Sequence, residues 1–583
     1  MSEPPAPVVP LPQLLAPEGG NGLRLGARVR IGVSSDDLLG LGRTVAGLLR
    51  VLHGVDSEVR AGGGACLRAD LLLVLVPEVP GAAGLAPARG VDPLAREGES
   101  AGSAEPAGSG GSRERYELVV TSGGATVTAS SAEGLFRGAT TFAQLLTGQD
   151  AGGGPGGPHA GDGRTAQDSG PGLTAPAVRV LDGPALRWRG LSLDVVRRFF
   201  PVAQVKKVVD LLALYKFNVL HLHLTDSQAW RLEITGRPGL TDPANWPGGE
   251  GSRNGDGPQF YTREDYREIV EYAAERFVTV VPEIDMPGHA LAAVRAYPEL
   301  AGADEPPHPL LPFIDPRAGA ADGFVADVLR QVADLTPGPF LHIGGDEAFG
   351  MPHELYAAFT ARALRLARTT GKRVVAWQEA ARSGALTPAD LAQCWIGSDH
   401  SFDAEGAREL APAEYHPIID MVERSFERAP RDAPEAVAAG APVLASPSSV
   451  LYLDRRYAED SLLPDQTARR ERVGFASYEP RTSRELFAWH PETLAEVPGD
   501  ARLAGVEAAI WCETVTDFDD LAFLLLPRLP GIAEKGWTPQ VTAWADYRGR
   551  VAAHPGWWER LGWGGYYRSA ELFGAVAADA AGK

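Results

Sequence analysis

Cysteine is nearly missing from this chain of 583 residues, which carries only Cys66, Cys394 and Cys512. Three thiols so far apart exclude a disulfide framework and a cysteine zinc site. Cys394 and Cys512 fall inside apolar, strand-like runs, where buried structural thiols are expected. Positive charge is also short. Lys and Arg number 55 against 75 Asp and Glu, a formal net charge of −20, and a nucleic-acid partner would need a cationic footprint instead. No stretch approaches the ~18 uninterrupted apolar residues of a membrane-spanning helix, so no membrane partner is expected. The start, Met1-Ser2-Glu3-Pro4-Pro5, has neither the basic end nor the apolar core of a secretion signal, which predicts a cytoplasmic protein. What the chain does have is 44% hydrophobic residues, together with 68 Gly and 47 Pro that cluster. That is the composition of a globular protein of more than one domain, with loops and linkers between.

Residues 1–20 read as a Pro-rich disordered lead. A small α/β domain is expected over 21–148, with strands near 24–33, 70–76 and 116–129. The last of these is broken by a hairpin signal, Ser122-Gly123-Gly124. A helix follows near 132–146, and 95–114 is a Gly/Ser/Glu-rich insertion. Residues 149–176 read as a flexible Gly/Pro-rich linker. From 177 to 583 short apolar runs alternate with amphipathic ones. The apolar runs fall near 188–195, 218–224, 278–284, 340–344, 373–377, 392–396, 442–453 and 506–511. Eight strands separated by helices predict a (β/α)8 barrel; a doubly wound open sheet is the competitor, but eight successive parallel strands favour closure. Residues 398–440 exceed a simple connection and predict an inserted helical excursion. The Trp- and Tyr-rich end, 554–567, predicts a last helix packed under the barrel.

In such a barrel the chemistry gathers at the C-terminal strand ends. Those ends carry Arg197, Asp226, Asp285 with His289, Asp346 with Glu347, Trp377, Trp395, Tyr452 with Asp454, and Trp511 with Glu513. Taken singly, an Asp after a strand is an ordinary helix cap and a Trp is ordinary core. A full ring of carboxylates, cations and aromatics suits a sugar instead, since aromatic faces stack on its C–H surface and carboxylates bind its hydroxyls. In an extended backbone Asp346 and Glu347 point to opposite sides. They therefore do not form the opposed pair, ~5 Å apart, of an ordinary retaining glycosidase. Glu347 reads as general acid/base and Asp346 as the group that grips a substituent of the sugar. His221 and His223 could suggest a metal pair, but without a third ligand they read as buried strand histidines. No metal and no cofactor are expected. The runs Gly62–Gly64 and Gly152–Gly157 lack the context of a phosphate loop, and Ser446-Pro447-Ser448-Ser449 lacks a partner histidine for a nucleophile.

Six ordered segments carry a resemblance. His221-Leu222-His223-Leu224-Thr225-Asp226-Ser227-Gln228-Ala229-Trp230-Arg231, Pro282-Glu283-Ile284-Asp285-Met286-Pro287-Gly288-His289 and Gly344-Gly345-Asp346-Glu347 are similar to signatures of the β-N-acetylhexosaminidases of glycoside hydrolase family 20. Leu193-Asp194-Val195-Val196-Arg197, Tyr452-Leu453-Asp454 and Trp511-Cys512-Glu513 complete the set in the family's order. The resemblance spans residues 116–565. It implies a retaining exo-enzyme that removes terminal β-linked N-acetylglucosamine or N-acetylgalactosamine from small oligosaccharides such as chitin fragments. The substrate's own acetamido group would act as nucleophile through an oxazolinium intermediate.

The same resemblance implies roles for individual residues. Glu347 would protonate the leaving oxygen and later activate water. Asp346 would hold the acetamido N–H and Tyr452 its carbonyl oxygen. Trp377, Trp395 and Trp511 would wall the acetamido pocket; Arg197, Asp454 and Glu513 would hold hydroxyls and close it; Asp226 and His289 would tune the proton on Glu347. Arg198, Ser227 and Phe349 depart from the family's usual residues, and the 398–440 excursion is longer than usual. The alternatives are a disaccharide-releasing enzyme of the same family, a barrel that binds sugar without catalysis, and an ordinary two-carboxylate glycosidase.

Overall fold

The computed structural model describes residues 6–62, 68–95, 112–148, 172–247, 258–302, 309, 311–397 and 402–575. Eight strands form one closed ring in chain order. They are β1 (Trp188–Asp194), β2 (Val219–His223), β3 (Thr279–Glu283), β4 (Phe340–His342), β5 (Arg373–Trp377), β6 (Leu391–Cys394), β7 (Val443–Ala445) and β8 (Leu503–Ile510). All pairings are parallel, and β1 closes the ring by pairing with both β2 and β8. Helices cover the outside and side chains fill the inside, so β1, β2 and β5 are buried at every position. This is the expected barrel.

The return helices follow the 3.6-residue period. Arg263–Ala274 starts at a capping box, Thr262 with Asp265, and buries Tyr266, Ile269 and Ala273. β7 is shorter than its apolar run. Regular pairing stops at Ala445, just before Pro447, which has no N–H to donate. The chain rejoins the ring only at Tyr452, which bridges to Ala509. The β6–β7 excursion holds helices Ala404–Leu410, His416–Arg428 and Asp432–Ala438.

A second, seven-stranded sheet lies before the barrel. Its order is Leu14–Pro17, Val178–Asp182, Tyr116–Thr121, Gly124–Ala129, Leu71–Leu75, Arg28–Val33 and Asp56–Ala61. Helices Leu39–His53 and Ala132–Leu145 pack against it. Three boundaries differ from the sequence reading. Within the lead, Leu14–Pro17 is an edge strand, and Val8 and Val9 are buried. The linker's described end is structured, because Leu173–Ala175 pairs with Leu23–Leu25 and Thr147–Gly148. Val178–Asp182 joins the first sheet, so the barrel begins at Trp188. The linker's centre, most of the 95–114 insertion and Cys66 lie outside the described residues.

Buried ion pairs lock the first sheet to the barrel. Arg189 of β1 meets Glu114 (Nη2–Oε1 2.5 Å), and Lys216 meets Asp182 at 3.1 Å. Removing one partner of such a pair costs about 3–5 kcal/mol. The final aromatic segment bridges both bodies rather than lying under the barrel alone. Trp558 Nε1 donates to Tyr215 Oη at 2.7 Å, while Trp557 meets His53 edge-on. Among the described residues no helix is long and apolar enough to cross a membrane.

Candidate active site

At the C-terminal mouth of the barrel a cleft of about 150 Å³ is lined by Arg197, Asp226, His289, Asp346, Glu347, Trp395, Tyr452, Asp454, Trp511 and Glu513, among others. Ten of the eleven residues to which the resemblance gives roles thus face one space, and Asp285 lines it with them. Trp377 is the exception. It is 1% exposed and stands behind the lining, 6.1 Å from the Trp511 ring, with its Nε1 donating to Glu283 at 2.8 Å.

The backbone after β4 is not extended. Gly344, Gly345 and Glu347 have φ of 64°, 105° and 48°, all left-handed. A Cβ on Gly344 would fall 1.7 Å from Asp285 Oδ1, so only glycine fits there. This turn brings Asp346 and Glu347 to the same cleft, correcting the expectation that they point apart. His289, itself at φ 49°, stands between them, its Nε2 3.3 Å from Glu347 Oε2 and 3.6 Å from Asp346 Oδ2. Strained φ at two such residues costs of order 1–3 kcal/mol each and persists only where the surroundings hold it.

Behind His289 runs a chain of charges. Its Nδ1 is 3.0 Å from Asp226 Oδ1, while Asp226 Oδ2 meets Arg197 at 2.6 Å and His223 Nε2 at 2.9 Å. His223 Nδ1 reaches Glu283 Oε2 at 2.6 Å, and Glu283 also meets His221 at 3.1 Å. Burial works against every one of these charges, yet the opposite neighbours win. Arg197, His289 and His223 hold Asp226 well below the usual carboxylate range. Asp226 and Asp346 hold His289 well above the usual imidazole value, and Glu283 raises His221 to about 9. His221 with His342, and His223 with Asp285, gather around Glu283, which pairs with all three imidazoles. Asp285 goes the other way: burial and then Asp346 push its carboxyl well up.

The opposite wall is aromatic. Tyr452 stacks on Trp395 (6.3 Å, 10°) and meets Trp511 edge-on at 6.0 Å. Beside this wall stand Asp454, raised by burial and Glu513, and Glu513, whose Oε1 is 3.9 Å from Arg197. Arg197 also lies over the Trp511 ring at 5.3 Å.

Sequence reasoning missed three groups. Phe475 and Tyr478 line the cleft from an irregular stretch, where the only signal was an aromatic pair three residues apart. Glu379 accepts from Trp395 Nε1 at 3.1 Å and is pushed up to about 8, by burial first and by Asp346 against the opposing Arg382. Of the departures from the family pattern, Phe349 lines the space beside Glu347, and the other two have polar partners. Arg198 interacts with Asp517 and Asp520, and Ser227 donates its N–H to Asp226 at 2.5 Å.

A closed parallel barrel with acid, base and aromatic side chains around a single mouth defines a sugar-cleaving barrel enzyme. The Glycosyl hydrolase family 20 catalytic domain matches residues 186–354 and 350–540, and domain 2 of that family matches residues 6–182. The chain belongs to glycosyl hydrolase family 20 and is a glycoside hydrolase. A β-N-acetylhexosaminidase of Cellulomonas fimi is 38% identical over 464 residues, 77% of this chain and 79% of that protein. A β-hexosaminidase of Porphyromonas gingivalis is 31% identical, and the match covers 73% of this chain and 51% of that one. The Streptomyces plicatus N-acetyl-β-hexosaminidase, solved with thio-NAglucal, superposes with a TM-score of 0.74 at 31% identity, covering 98% of this chain and 99% of that one. The family 20 β-N-acetylhexosaminidase of Streptomyces coelicolor A3(2) gives 0.73 at 33%, with the same coverage.

Proposed function

We propose that this chain is a retaining exo-β-N-acetylhexosaminidase whose substrate supplies the nucleophile. The observation that carries the reading is the left-handed turn that sets Asp346 and Glu347 side by side at one imidazole, opposite a Trp and Tyr wall. Two carboxylates at one imidazole stand on the same side of the reacting bond, so they divide labour rather than flank it. Glu347 donates its proton to the departing oxygen as the C1–O bond breaks. The acetamido carbonyl oxygen attacks C1, forming an oxazolinium ring. Water then adds to C1, giving up a proton to Glu347, and the ring opens with net retention.

Asp346 hydrogen-bonds the acetamido N–H and stabilises the charge that develops on it; Tyr452 orients the carbonyl oxygen. The aromatic wall holds the group in its attacking geometry, where an intramolecular nucleophile has a large effective concentration. Trp377, walled off from the cleft, supports that wall by anchoring to Glu283. Arg197, Asp454 and Glu513 bind hydroxyls and close the end. A cleft closed in this way by Arg197, Asp454 and Glu513 favours release of one sugar over release of a disaccharide.

The anomer of the first-formed product tests the assignment. On a β-linked N-acetylglucosaminide, early NMR spectra are expected to contain β-N-acetylglucosamine, which then mutarotates. The α anomer appearing first means inversion and rules out an oxazolinium path.

A further inference from the structure

A second cavity, of about 350 Å³, adjoins the cleft and shares with it the loop that carries Glu347. Its opposite side is helix His416–Arg428, from the β6–β7 excursion. The 3.6-residue period divides this helix. Met421, Arg424, Ser425 and Arg428 face this cavity, whereas Glu423, Phe426 and Glu427 face another. In a chain of net charge −20, this cavity therefore meets three guanidiniums: Arg382, Arg424 and Arg428.

Arg382 is matched by Asp432 at 2.6 Å. Arg428 is not matched as closely. It reaches Glu435 only at 3.6 Å, and its Nε is buried without a hydrogen-bond partner. Arg424 is solvent-exposed and senses Asp420 one turn back. The acids that line the cavity are Glu379, pushed up to about 8 by burial and Asp346 against Arg382, and Glu347 itself. The other acids near Arg424 and Arg428, namely Asp420, Asp432 and Glu435, lie outside the cavity lining.

A proton donor stands where the leaving group departs, so the aglycone leaves the cleft past Glu347. We propose that this cavity receives a leaving sugar bearing a carboxylate, recognised by Arg424 and Arg428. The proposal rests on the activity proposed above and adds a substrate class to it.

The test compares kcat/KM for three disaccharides with N-acetylglucosamine at the non-reducing end. The β-1,4-linked leaving sugar is N-acetylglucosamine (neutral), N-acetylmuramic acid (lactyl carboxylate) or glucuronic acid (ring carboxylate). Two partly exposed cations predict a roughly 3–10-fold preference for one of the acidic sugars. Which sugar it is shows where the carboxylate lies. The preference is expected to shrink with added salt, which needs no variant, to fall to about one in Arg424→Ala and Arg428→Ala, and to invert in Arg424→Glu. A ratio near one in the unaltered protein, or a preference that survives Arg424→Glu, overturns this proposal alone. Failure to cleave any of the three, the neutral disaccharide included, overturns the activity and the proposal together.

Discussion

Asp226→Asn isolates the chain of charges behind the proton donor. Asp226 accepts from Arg197 at 2.6 Å, His223 at 2.9 Å, His289 at 3.0 Å and the Ser227 N–H at 2.5 Å. Asparagine keeps the shape, but it removes the charge and turns one accepting end into a donor facing cations. Arg197 faces Glu347 across the cleft, and the His289 contact leads directly to Glu347. Losing one charge-assisted hydrogen bond there is worth about 1.5–3 kcal/mol, a roughly 10- to 150-fold loss of kcat. Arg197, His223 and His289 all lose a buried partner, so Tm should drop as well. Asp226 and Asp346 hold the His289 pKa up. With Asp226 neutralised that pKa falls, and the alkaline limb of the kcat profile moves to lower pH. The assay is kcat on phenyl and dinitrophenyl N-acetyl-β-glucosaminides across pH. The loss is expected to be larger on the phenyl substrate, whose departure needs the proton. A folded Asn variant within about threefold of the original kcat on both, with an unmoved profile, would refute the coupling of Asp226 to Glu347.

Glu347→Gln is expected to lower kcat by several orders of magnitude on poor leaving groups and far less on dinitrophenyl glycosides; an equal loss on both removes it from proton delivery. Asp346→Asn and Tyr452→Phe should each lose roughly 10²- to 10³-fold in kcat with smaller changes in KM, and wild-type kcat in both would exclude acetamido assistance. Glu379→Gln tests the buried carboxyl under Trp395. Its folded pKa of about 8 lies above the ordinary 4.5, so unfolding releases its proton between those values and stability falls as pH rises through that window. The Gln variant should lose less Tm than the original protein from pH 5 to 8, and parallel curves would contradict that assignment.

Much of the barrel was legible because a parallel strand buried on both faces leaves an uninterrupted apolar run, and because polar residues that interrupt the pattern at strand ends stand out. Local patterns failed where the deciding partners are remote. The Pro-rich lead reads as disorder, yet Gln144 bonds both the N–H and the C=O of Val9, and Arg550 donates to the carbonyl of Val8. Those partners lie 135 and 542 residues away, and no window of the sequence contains them. The direction of Glu347 was misjudged for a related reason. Alternation assumes an extended backbone, and the turn at Gly344 is imposed by Asp285 on a neighbouring strand end. Trp377 shares the spacing of a lining residue, but Glu283 pulls its indole N–H inward. Phe475 and Tyr478 belong to no periodic element, so only three-dimensional closure brings them to the cleft.

The most direct test of acetamido assistance compares hydrolysis of 4-nitrophenyl N-acetyl-β-glucosaminide with that of the β-glucoside, with and without a thiazoline mimic of the oxazolinium ring. Rapid cleavage of the first substrate only, blocked by the thiazoline, is expected. Comparable cleavage of both without inhibition would contradict it and require a nucleophile from the protein.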